Sequence, residues 1–177
     1  MATRQPIVDE ILDSFAGEIG KDMERYRNHV YRDLSYFEAL YSPRGSIPRP
    51  VLIAAAFHDI GIWTDRTFDY LWPSVDRARN YLASRGLESL APEVEVLILQ
   101  HHKITPYCGC HANTVEAYRK ADLIDVTHGI VRFGLPASLI KDAQDAFPTL
   151  GFHLLLARLF AKQLVRSPWR PLPMVRL

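Results

Sequence analysis

Apolar positions recur along this chain in steps of three and four, the spacing of one face of an α-helix. Ile7, Ile11, Leu12, Phe15 and Ile19 predict a helix over 6–19, weakened near its end by Gly17 and Gly20. Met23, Tyr26, Val30, Leu34, Phe37 and Tyr41 predict a longer one over 21–41. Residues 42–50 carry three prolines and a glycine and read as a loop, with Pro50 placed to start the next helix. That helix, 51–60, is apolar nearly all round and belongs at the centre. An aromatic, irregular stretch over 61–73 precedes a helix over 74–84, which Gly86 stops. Further helices are predicted over 91–102, from Asn113 or Thr114 as cap, after the Gly134-Leu135-Pro136 break to about 146, and over 150–165. No apolar–polar alternation is long enough to build a sheet. The expectation is an all-α bundle of about seven or eight helices: one domain over 1–166, then an extended tail over 167–177. The tail's Trp169, Leu172, Met174 and Val175 call for docking on the body or on a second subunit.

Several polar residues break this pattern where apolar ones belong. Ala54-Ala55-Ala56-Phe57 runs straight into His58-Asp59, then Ile60-Gly61. A buried carboxylate is costly unless it is paired or binds a cation. Imidazole and carboxylate together form a ligand set for a divalent ion. His29 lies on the edge of the second helix's stripe, with Arg25 and Arg32 at i−4 and i+3. His101 follows Val94, Leu97 and Ile98 on one helix face, and His102 and Lys103 come directly after it. Asp122 continues the inward face of Val115 and Tyr118, and Asp125 lies about one turn on. Asp122 is therefore expected to point inward and Asp125 to assist it or face out. Cys108-Gly109-Cys110-His111 has no second half to complete a zinc site and reads as free thiols in a loop.

Composition narrows the picture a little. Hydrophobic content of 48% and charged content of 23% are those of an ordinary globular protein. A net charge of +1 gives no electrostatic case for a nucleic-acid polymer or a membrane surface. Two cysteines exclude a disulfide framework, and the first residues lack the apolar core of a signal peptide. No run of about 18 apolar residues spans a bilayer. A cytoplasmic protein is the expectation.

His29, His58-Asp59 and Asp122, in that order and on separate helices, resemble the HD-domain superfamily of metal-dependent phosphohydrolases. The matching contexts are Val30 and Arg32 after His29, Phe57-His58-Asp59-Ile60-Gly61, and Lys120-Ala121-Asp122-Leu123-Ile124-Asp125; together they span about 23–125. The resemblance implies a helical fold, a divalent metal (Mn, Fe, Co, Ni, Zn or Mg) on His29, His58, Asp59 and Asp122, and hydrolysis of a nucleotide or small phosphomonoester. Ile62 departs from the Lys or His that many members carry after the glycine. Only His101 and His102 could serve a second metal, so one ion is expected. Within that reading Asp59 orients water. Arg25, Arg32, His101, His102 and Lys103 neutralise phosphoryl oxygens, Asp65 is a further acid or base, and Trp63, Phe68 and Tyr70 stack a nucleobase. An HD-fold lyase, hydratase or iron oxygenase, or a silent metal- or nucleotide-binding module, is the alternative, because a fold does not fix a chemistry.

Overall fold

The computed structural model describes residues 3–41 and 46–175. Residues 42–45 of the expected loop, and 176–177 of the tail, lie outside the described residues. Eight α-helices of nine residues or more occur among the described residues, with no β-strand. They are α1 (Pro6–Ser14), α2 (Met23–Leu40), α3 (Arg49–Phe57), α4 (Leu71–Ser84), α5 (Ala91–Gln100), α6 (Ala112–Val126), α7 (Ala137–Ala146) and α8 (Phe152–Arg166). None is long and apolar enough to cross a membrane.

The first predicted helix stops early. Phe15 leaves helical geometry, Ala16–Ile19 adds a single turn, and Gly20 takes φ 57°, a conformation glycine adopts without strain. The chain then turns through Gly20–Asp22 into α2.

Helix α3 is central, as its composition requires. Every residue from Val51 to Phe57 is buried, and α3 packs on α1, α2, α4 and α5. Fully burying a side chain such as Val51, Ile53 or Phe57 contributes about 1.5–3 kcal/mol. The alanine run Ala54-Ala55-Ala56 lets these neighbours come close. The most extensive helix pairing is α2 with α6, which brings His29 opposite Asp122 and Asp125.

Two boundaries differ from expectation with clear cause. Helix α4 begins at Leu71, three residues earlier, because Leu71 itself is buried beside Ile62 and Tyr70. Neither Asn113 nor Thr114 caps α6. It starts at Ala112 behind His111 in the left-handed region, the Thr114 hydroxyl bonds Glu93, and Glu116 pairs with Arg119. Cys108 and Cys110 are exposed free thiols.

The tail returns to the body. Met174 is buried against Ile62, Tyr70 and Leu71, and Arg170 pairs with Asp69 at 3.3 Å. Lys162 and Arg166 of α8 line a cavity of about 550 Å³ with Arg66 and Arg170.

Candidate metal centre

Two helices, α2 and α6, and the turns after α3 and α5 carry the site. Helix α3 ends at Phe57, so His58 and Asp59 lie in the turn after it rather than in a last helical turn. Tyr26 of α2 fixes that turn: its hydroxyl donates to Ala56 O at 3.0 Å and accepts from the Asp59 N–H at 3.3 Å. Gly61 completes it. A Cβ at Gly61 would stand 2.7 Å from Tyr70 O, and the Gly61 N–H donates to the Ser74 hydroxyl at 3.0 Å. Only glycine lets the start of α4 approach this closely.

The polar groups that broke the helical pattern meet here. His29 Nε2 lies 3.0 Å from His58 Nε2, 3.7 Å from Asp59 Oδ2 and 3.7 Å from Asp122 Oδ1. His58 Nε2 lies 3.5 Å from Asp59 Oδ2 and 4.0 Å from Asp122 Oδ1. All four residues are buried. Asp33, one helical turn after His29, joins them at 3.3 Å from His29 Nε2 and 3.8 Å from His58 Nε2. Asp33 was not picked out from the sequence. Its signal was nonetheless there: it falls at i+7 from Tyr26 and i+3 from Val30, within the apolar stripe, just as Asp122 falls within its own.

Each imidazole is held from behind. His29 Nδ1–H donates to Asp125 Oδ2 at 2.7 Å, His58 Nδ1–H to Ala55 O at 2.8 Å, and His101 Nδ1–H to Ile98 O at 2.7 Å. Those bonds fix the tautomers and leave each Nε2 lone pair facing the cluster. Burial holds His58 down to about 4, so its ring is neutral at pH 7 despite Asp59. Phe152 stacks on His29 at 4.2 Å between ring centres.

The donor set fits a cation. Two Nε2 lone pairs 3.0 Å apart are relieved only by a second proton on one ring or by a cation between them. Both oxygens of Asp33, Asp59 Oδ1, Asp122 Oδ1 and His101 Nε2 are buried without a hydrogen-bond partner among the described residues. A buried orphan acceptor is costly, and one divalent ion satisfies several at once. Burial pushes Asp33 well above the usual carboxylate range, and Asp122 and Asp125 add to that rise. Burial pushes Asp59 the same way, but His58 and His101 more than reverse it and hold it low. Imidazole and carboxylate ligands suit Zn, Mn, Fe, Co or Ni better than Mg.

His101 and His102 extend the cluster. His101 Nε2 lies 3.5 Å from Asp59 Oδ1, and His102 Nδ1 lies 3.2 Å from Asp122 Oδ2. His101, His102 and Asp122 form a second group close enough to hold a cation, beside His29, Asp33, His58 and Asp122. Burial opposes charging of His102, yet Asp122 outweighs it and raises the ring above its ordinary value. Tyr70 OH bonds its other nitrogen at 2.6 Å.

Other expected site residues lie elsewhere. Arg32 is wholly buried behind the site: Nε and Nη2 bond both oxygens of Asp125 and Nη1 donates to Phe147 O, so it offers nothing to a phosphoryl group. Its place in the helix stripe next to Asp125 dictates this. Arg25 pairs with Asp22 at 3.4 Å where the chain enters α2. Asp65 is exposed and bonds Thr64 and Arg77. Trp63 donates to Asp22 at 3.1 Å and packs on Tyr26, with ring centres 4.7 Å apart, rather than lining a cavity at the cluster. Lys103 is half-buried directly after His102. Asp125 stands behind His29 and Asp122 in front of it. No protein-family model matches the chain, and no curated protein or solved structure matches it.

Proposed function

We propose that this chain is an HD-type phosphohydrolase that uses a divalent metal ion to hydrolyse a small phosphate monoester. The observation that carries the reading is that His29, Asp33, His58 and Asp122 offer ligand atoms within 4.8 Å of one another, while Asp59, grouped with His58 and His101 beside them, also lines an open cavity. A divalent ion held there would lower the pKa of water and polarise a phosphoryl oxygen.

The chain's own residues supply the rest. Asp59 Oδ1 and His101 Nε2 are both unpartnered acceptors, and they stand 3.5 Å apart. Asp59 Oδ1 orients a water and His101 Nε2 takes its proton as the water oxygen bonds to phosphorus. His102, 3.2 Å from Asp122 Oδ2, lines the cavity beside Asp59 and is the polar side chain there that faces the phosphoryl oxygens. The ester oxygen leaves with a proton, giving an alcohol and inorganic phosphate. Substrate is a small molecule, and no membrane or nucleic-acid polymer takes part.

One feature favours a second reading. His101 and His102 add two imidazoles at the edge of the cluster, the ligand surplus that an iron oxygenase needs.

The test is a screen of phosphate esters with Mn, Co, Mg, Ni or Zn, alongside elemental analysis. Turnover should need added metal and stop with chelator, and His58→Ala or Asp59→Ala should abolish it by losing metal. Bound metal without turnover of any phosphate ester would refute hydrolysis, and copurifying iron would then point to the oxygenase.

A further inference from the structure

The cavity that reaches the metal centre has a definite chemistry. It holds about 270 Å³, and Asp59 and His102 belong to its lining. Its other walls come from four separate parts of the chain: Phe68 in the loop after the His58–Asp59 turn, Val126 at the end of α6, Leu156, Ala157 and Phe160 of α8, and Leu172 and Met174 of the tail. Among the described residues, no Lys, Arg, Asn, Gln, Ser or Thr lines it. Tyr70 is there, but its hydroxyl is already bonded to His102. Asp59 is almost wholly buried, whereas Phe160 and Leu172 are partly exposed, so the polar atoms form the floor and the apolar ones the rim.

A nucleobase does not suit these walls. Its ring nitrogens and exocyclic groups would be buried with no partner, which is costly. Trp63, one of the rings expected to stack a base, is not in the lining at all.

We infer that the organic part of the substrate is a compact apolar group, a short alkyl chain or a single aryl ring, seated between α8 and the tail with its phosphoryl end at Asp59 and His102. Size agrees: an apolar cavity of about 150 Å³ already accepts benzene. The inference rests on the phosphohydrolase reading for its head group but not for its chain. Water adds to phosphorus, the P–O ester bond breaks, and the leaving oxygen takes a proton, so the products are an apolar alcohol and inorganic phosphate. The tail is then part of the binding site, because Leu172 and Met174 close one wall.

The test measures binding to the Mn-loaded full chain by ligand-observed NMR. One series is n-alkylphosphonates from methyl to hexyl; the other is n-alkanols of the same lengths. Kd should fall about fourfold per methylene in both series until the cavity is full. Adenosine monophosphate should bind more weakly than hexylphosphonate. Ala157→Phe, which puts a ring into the cavity, should cut the hexyl-over-methyl preference at least tenfold. Flat affinity along both series overturns the inference, as does tighter binding of adenosine monophosphate or an unchanged preference in Ala157→Phe. A chain-length gain in both series, with phosphonates no better than alkanols, supports the apolar pocket and instead sinks the phosphate head group.

Discussion

Replacing Asp33 by Asn should have opposite effects on the metal-free and metal-loaded protein. The ligand atoms of His29, Asp33, His58 and Asp122 all lie within 4.8 Å of one another. Two unit negative charges at that separation repel by about 3.5 kcal/mol at an effective dielectric constant of about 20. Burial, with Asp122 beside it, pushes the Asp33 carboxyl above the usual carboxylate range, the direction this repulsion dictates. Asn keeps the shape, removes the charge, and can donate to the neighbouring carboxylates. Metal-free protein should therefore gain about 1–3 kcal/mol, the range seen when buried charges are replaced. For a chain of this size that is roughly 2–12 °C in Tm. With metal the sign turns. Losing a carboxylate beside the ion should weaken binding about 10–100-fold, the scale set by loss of supporting groups. Stabilisation by saturating metal then falls by about 1.4–2.8 kcal/mol. The assay is thermal unfolding of wild type and Asp33→Asn, once in chelator and once with excess Mn. A lower Tm in chelator, together with an unchanged Mn-induced shift, would refute both the crowding and the position of the ion.

Two further outcomes follow from neighbouring residues. Asp125→Ala should cost about 3–5 kcal/mol, because it strands the buried Arg32 guanidinium, whereas Asp122→Ala should lose bound metal; thermal unfolding and elemental analysis separate the two, and metal loss confined to Asp125→Ala would reverse their roles. Glu116 is held down to about 2, first by its hydrogen bonds with Arg119, against burial, and then by the Tyr107 N–H. A carboxylate with a lowered folded-state pKa stabilises above its unfolded value of 4.5, and that stability is lost as pH falls towards about 2. The stability gap between wild type and Glu116→Gln, about 1–3 kcal/mol at pH 7, should close across that window in acid-titrated urea melts; a gap that persists at pH 2 would rule it out.

The helical pattern carried the architecture because every helix buries one stripe, and stripes are visible one residue at a time. Boundaries were less legible. The break at Phe15 and the early start of α4 depend on what Leu71 and Ile62 meet in space. The polar residues were visible for the same reason as the stripes: His58, Asp59, His101 and Asp122 stood where apolar side chains were due, and the fold brings them together. Asp33 stands in such a place too, at i+3 from Val30 and directly after Arg32. Arg32 could not be placed by spacing alone. An arginine three residues from His29 can face substrate or face Asp125, and only the α2–α6 pairing decides between them. The aromatic stretch after Gly61 had the same ambiguity: Phe68 and Tyr70 line the cavity, while Trp63 turns away to Asp22.

That pairing also explains why the two aspartates of α6 cannot exchange roles. Asp125 accepts from His29 Nδ1 and from two nitrogens of Arg32, and the same residue's backbone carbonyl takes a bond from His153. Its carboxylate oxygens are spent on orienting His29 and on neutralising a guanidinium that has no access to water. Asp122, about one turn earlier, receives no arginine bond among the described residues and keeps Oδ1 without a partner. A shift of α6 by one turn would bring Asp125 to the front, strand Arg32, and leave His29 free to rotate. The buried ion pair therefore fixes the register of α6 on α2, and the register in turn selects which carboxylate faces the two imidazoles. The charge balance points the same way: Arg32 neutralises Asp125 only, and Asp33, Asp59 and Asp122 remain as crowded carboxylates at the meeting point of two imidazoles.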